Sequence, residues 1–177
     1  MNESQVNKKL LAFIHSWTML AGILLLAIVI VTSINASAFG LDKIARLYGS
    51  NVPALPGYED FVRLSISCVA LMFFPYCRLH YGHVKIDLLE KYFPRKMNLF
   101  LNLLWSVMMF ATVAFLVYWM NLGLWESMDD NAISRVLGWS EWYFYIPGLI
   151  SLILWGAISL LQLIHHYKEL TAQEALV

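Results

Sequence analysis

The sequence predicts an all-α integral membrane protein: four transmembrane helices, both chain ends on the cytoplasmic side, and short amphipathic helices resting at the interfaces. Three observations lead there. Residues 97–124 carry no charge at all, whereas about 20 apolar residues already cross the hydrocarbon core of a bilayer. Hydrophobic residues make up 60% of the chain and charged ones only 14%, against roughly 45–50% apolar residues in a globular domain. Lysine and arginine, finally, crowd into alternate connections. With Lys+Arg equal to Asp+Glu and no charged tail, nothing points to nucleic acid as a partner, and residues 1–177 read as a single membrane domain.

The first span, 11–34, lacks Asp, Glu, Lys and Arg. Lys8 and Lys9 ahead of it and Ala36-Ser37-Ala38 behind it mimic a signal sequence, but the apolar stretch exceeds the usual 7 to 15 residues or so, and it is expected to be retained. The second span, 58–77, needs Tyr58 to Phe61 as a first turn, because the uninterrupted run from 64 to 77 is short; its alternative is a re-entrant segment. The third, 97–124, is long enough to tilt. The fourth covers 142–164.

Orientation follows from the basic residues. Lys8, Lys9, Arg78, Lys85, Lys91, Arg95, Lys96 and Lys168 flank one side, against only Lys43, Arg46 and Arg135 on the other. Cytoplasmic connections carry the excess of Lys and Arg, so both ends and the middle connection belong inside. Asp42, Glu59, Asp60, Glu126, Asp129, Asp130 and Glu141 then face outward. Cys68 and Cys77, nine residues apart on one helix, are separated by roughly 13 Å, too far for a disulfide.

Two connections have helical periodicity. Over 39–49, Leu41, Ile44, Ala45 and Tyr48 recur at helical spacing before Pro53 and Pro56; over 84–93, Ile86, Leu89 and Phe93 do so before Pro94. Both are expected to be interfacial helices, the alternative being plain loops. Trp119, Trp125, Trp139, Trp142, Tyr143 and Tyr145 collect at the outer boundary, where amphipathic rings anchor a protein between lipid and water.

Within the spans polar groups are few. Arg63 is the one charged residue placed inside a span, with Glu59 one turn earlier and Asp60 three positions before it. That spacing permits an ion pair along one face; the alternatives are a snorkelling arginine and a contact to a partner. Asn98, Asn102 and Ser106 form one stripe, Ser151, Ser159, Gln162 and His166 another, and Gly148 and Gly156 admit a close neighbour. Such stripes join membrane helices. His15 opposite His165 or His166 could ligate haem, which makes a haem-binding membrane anchor of an electron-transfer complex the alternative function. The His80-x-x-His83 pair lacks further metal ligands. No nucleotide-binding loop and no nucleophile with an oriented base is present, so no enzymatic activity and no cofactor is expected.

The stretch YEDFVRLSISCVALMFFPYCRLHYGHVKIDLLEKYFP, residues 58–94, resembles the central region of the small membrane subunit, DctQ type, of tripartite ATP-independent periplasmic (TRAP) transporters. There an acidic pair and an arginine open the second span, followed by a basic residue, Gly-His, an aliphatic residue, and Asp before two leucines and a proline. Glu59, Asp60, Arg63, Arg78, Gly82, His83, Val84, Asp87, Leu88, Leu89 and Pro94 occupy those places. The late stretch GWSEWYFYIPGLISLILWG is similar to the family's last span. Gly57-Tyr58 stands where the family often has tryptophan, and the first connection is longer than its commonest form.

The resemblance implies a small permease subunit in the bacterial inner membrane. Its partners would be membrane lipids, a large elevator-type membrane subunit for which it is a scaffold, and a periplasmic binding protein that supplies an organic acid. Uptake would be driven by an ion gradient, generally sodium. On this reading His83 and Asp87 hold the inner amphipathic helix to the second span, Glu59 and Arg63 order the outer corner, and Asp129, Asp130 and Glu141 are candidates for docking the binding protein.

Overall fold

The computed structural model describes residues 8–80 and 95–174. Within these residues four helices follow one another: α1 (Lys8–Ala45), α2 (Tyr58–Leu79), α3 (Arg95–Asp129) and α4 (Trp142–Glu174), with a 3₁₀ turn at Arg46–Tyr48. All four are long and apolar enough to cross a membrane. The two cysteines are free.

The helices stand in the order α1, α2, α4, α3. α2 packs on α1 along one side and on α4 along the other, while α3 lies on the far side of α4. Two apolar clusters fill the seams. Ala21 and Ile28 of α1 meet Cys68, Val69 and Met72 of α2, and Val113 of α3 meets Leu152 and Trp155 of α4, with Leu71 and Phe74 of α2 against them. Phe74 and Trp155 stack at 4.8 Å between ring centres.

The stripes expected to join helices do so on α4. Ser151 and Ser159 are fully buried, as are Gln162 and, on α3, Ser106. Ser151 Oγ accepts a hydrogen bond from Trp17 Nε1 of α1 at 2.9 Å and donates to the Pro147 carbonyl at 2.7 Å. Gln162 Nε2 donates to the Arg78 carbonyl at 3.2 Å, which binds the inner end of α2 to α4. Gly148 is buried: a Cβ there would run into Met120 Cε and stand 3.0 Å from Leu71 Cδ1, so the glycine leaves room for side chains of α2 and α3 to pack against α4 at this point.

One expectation is corrected. No separate helix covers 39–49, because α1 continues unbroken to Ala45. Hydropathy falls after Ile34, but no proline interrupts 35–45, and polar residues by themselves are compatible with a continuing helix. The end comes at Gly49, whose φ of 74° reverses the chain. The inner amphipathic helix expected over 84–93 lies outside the described residues.

Candidate functional site

The outer ends of α2 and α4 are joined by a polar clasp. It begins at Gly57, which caps α2 with φ 80°, a left-handed conformation that costs other residues about 1–2 kcal/mol. A Cβ at this position would also stand 2.6 Å from Leu137 Cδ2. Glycine is therefore required twice over, by its backbone and by the closeness of the third connection.

Asp60, in the first turn of α2, is buried. One carboxylate oxygen, Oδ2, accepts the backbone N–H of Val136 at 2.7 Å and of Leu137 at 3.2 Å. Hydrogen bonds to a charged acceptor are shorter and stronger than neutral ones, so one side chain fixes the connection 130–141 on the end of α2. One turn later, Arg63 Nη2 meets Glu141 Oε1 at 2.5 Å. The expected Glu59–Arg63 contact is thus replaced: Glu59 is exposed and accepts from Tyr58 Oη at 3.2 Å, while Arg63 turns to an acid 78 positions away. A partner on another element wins here because the chain folds Glu141 directly over the face that Arg63 occupies.

The connection is itself ordered by short-range bonds. Ser134 N–H donates to the Trp139 carbonyl at 2.8 Å, and Trp139 N–H returns to Ser134 Oγ at 3.1 Å. Glu141 N–H donates to the Ala132 carbonyl at 3.0 Å. Gly138 turns the chain with φ 66°, and Trp139 sets its edge against Phe61 at 6.4 Å. Beneath the ion pair lies an open cavity of about 240 Å³, lined by Arg63, Ser67, Cys68, Met120, Glu141 and Tyr145 among others.

The clasp extends to the first connection. Asn35, buried on α1, accepts the Leu55 N–H at 3.1 Å. Asp42 takes the Val52 N–H on one oxygen at 2.9 Å and Arg46 Nε on the other at 2.8 Å. Sequence reasoning passed over Asn35, Asp42 and Ser134 as site residues; a lone Asn closing an apolar run was the available signal for the first.

The other candidates fall as follows. Arg78 is buried near the inner end of α2, its carbonyl held by Gln162. Asp129 ends α3 and Asp130 follows it, both exposed, so they remain open to a partner while Glu141 is engaged by Arg63. Gly82, His83 and Asp87 lie outside the described residues. His15 packs on Tyr76, which in turn contacts His80, and His165 contacts His166. Among the described residues no group of three or more His, Cys, Asp or Glu could hold a metal ion. What this arrangement does chemically is fix helices relative to one another.

A family model described as "Tripartite ATP-independent periplasmic transporters, DctQ component" matches residues 44–169, well over half of the chain. No curated protein and no solved structure matches it.

Proposed function

The chain belongs to the DctQ component of tripartite ATP-independent periplasmic transporters, a small permease subunit of the bacterial inner membrane, and from that premise we propose that it is the stator of such a transporter. The coarse function, transport, comes with the family. The finer reading is that this chain braces a large elevator-type membrane subunit, which carries an organic acid handed over by a periplasmic binding protein, with a sodium-ion gradient as the driving force.

One observation carries the reading: the buried polar side chains of the helices whose bonds to other elements are described tie one helix to another helix or to a connection. Trp17 with Ser151 ties α1 to α4, Gln162 ties α4 to α2, and Asp60 ties α2 to the connection between α3 and α4. A transport pathway uses intramembrane polar groups for cargo and ions; a brace uses them against its own neighbours. In this orientation the clasp faces the periplasm, and the exposed pair Asp129 and Asp130 offers the binding protein a negative patch. His83 and Asp87 keep their proposed role of holding the inner connection to α2.

Reconstitution tests this. Co-expressed chain and large subunit are expected to purify together and to take up a labelled organic acid in liposomes only when both are present with the binding protein and a sodium gradient. Uptake by this chain alone, or full uptake by the large subunit without it, would overturn the stator role. Charge reversal at Asp129 and Asp130 is expected to weaken binding-protein association at low salt.

A further inference from the structure

The cavity beneath the Arg63–Glu141 pair measures about 240 Å³, where roughly 10–15 Å³ by the same measure already admits a water molecule. α2 lines it with Arg63, Leu64, Ser67 and Cys68, α3 with Met120, and the start of α4 with Phe144 and Tyr145 behind Glu141. Tyr145 lies against α3 at Gly123, where an added Cβ would stand 3.2 Å from the ring. In the orientation set by the basic residues, α2 and α4 both run inward from this end. Ser67 and Cys68 therefore lie about 6–8 Å deeper than Arg63, and the lining passes from charged to apolar toward the bilayer centre. Trp139 and Trp142 stand on either side of Glu141 in the chain. Tryptophans gather at headgroup level, which sets the charged rim of the cavity among the headgroups.

The two rim charges have capacity to spare. Among the described residues their side chains meet through Arg63 Nη2 and Glu141 Oε1 alone. A guanidinium has five N–H donors and a carboxylate about four acceptor sites, and 57% of the Arg63 side chain and 23% of the Glu141 side chain are exposed. An arriving group can therefore bind both ions without parting them. Glu59 and Asp60 lie within about one turn of Arg63, so the neighbourhood carries more negative than positive charge. That balance disfavours a ligand that is simply an anion.

We propose that this cavity binds a phosphatidylethanolamine of the outer leaflet, with its phosphate on Arg63, its primary ammonium on Glu141 and an acyl chain descending past Cys68 and Met120. The four charges then alternate in sign, each has two opposite neighbours, and the ligand adds no net charge. Guanidinium and phosphate match in shape through paired N–H···O bonds, while the ammonium offers three donors to the carboxylate. Phosphatidylglycerol would give Glu141 no cation, and the methylated ammonium of phosphatidylcholine has no N–H to donate. The charged rim above an apolar floor repeats the order of headgroup and acyl chain in a phospholipid. The inference rests on the orientation in the membrane and not on the stator role, so its failure leaves that role standing.

The purified chain in detergent, titrated with phosphatidylethanolamine, phosphatidylcholine and phosphatidylglycerol of identical acyl chains, tests the assignment by native mass spectrometry. The first is expected to bind at about tenfold lower concentration than either of the others. Equal binding of all three, or tighter binding of phosphatidylcholine or phosphatidylglycerol, would overturn it. Glu141→Gln is expected to erase the preference. Because that change also loosens the clasp, Ser67→Trp is the second variant: it fills the cavity from an exposed position on α2 and leaves the ion pair in place. It should weaken phosphatidylethanolamine binding about tenfold, with the thermal unfolding midpoint in lipid-free detergent unchanged. Undiminished phosphatidylethanolamine binding in either variant would place the lipid elsewhere and overturn the proposal.

Discussion

The two central helices and the two flanking ones solve different problems with similarly apolar sequences. In the most apolar stretch of α2 and of α4, 39% and 33% of residues are buried within the chain, against 11% in α1 and in α3. The difference shows where the protein's own packing ends. α2 and α4 must satisfy their polar groups against each other, since lipid offers no hydrogen bonds. α1 and α3 turn most of their surface outward, to lipid or to a partner, and use polar side chains chiefly where they touch the central pair.

Substitutions can break or sharpen this contrast. The largest effect is expected at Gly148, where three helices converge: Gly148→Phe overpacks the site and should lower stability in detergent by about 1–3 kcal/mol or more, measured by chemical or thermal unfolding. Gly57→Ala comes next, at about 1–2 kcal/mol for the left-handed backbone, with the contact to Leu137 adding to it. Asp60→Ala opens the same clasp from the other side and should lower the unfolding midpoint by several degrees; Asp60→Asn, which keeps an acceptor but loses the charge, should fall between. Trp17→Phe removes one bond between helices and is expected to cost about 0.6 kcal/mol. On the flank, Gly22 has nothing within 4 Å of an added Cβ, and Gly22→Leu should leave the isolated chain's stability within about 0.5 kcal/mol. Equal losses at Gly22 and Gly148 would erase the distinction between centre and flank.

Much of this contrast is written in hydropathy, and some of it cannot be. Spans expected at 58–77 and 97–124 became Tyr58–Leu79 and Arg95–Asp129, because an uncharged apolar stretch reports the lipid directly. The outer end of α1 was misread for the same reason: apolar content tells where lipid stops, while the backbone continues until Gly49 turns it. Arg63 shows the other limit. Its neighbours in sequence include Glu59 at helical spacing, but Glu141 meets it only because the connection 130–141 folds back onto α2. No local pattern encodes that return. The stripe of Ser151, Ser159 and Gln162 was legible, since buried small and polar residues at helical spacing have few other uses in a membrane; which helix each would face was not.

The central claim is that this chain is a rigid brace that keeps its shape while its partner moves. Spin labels at Ile23 on α1 and Phe115 on α3, both largely exposed, would report the distance across all four helices in the reconstituted complex, with the two native cysteines replaced. A single distance distribution is expected, unchanged when substrate-loaded binding protein and a sodium gradient are supplied. A second population appearing under transport conditions would mean that these helices rearrange with the cargo, and would contradict the account.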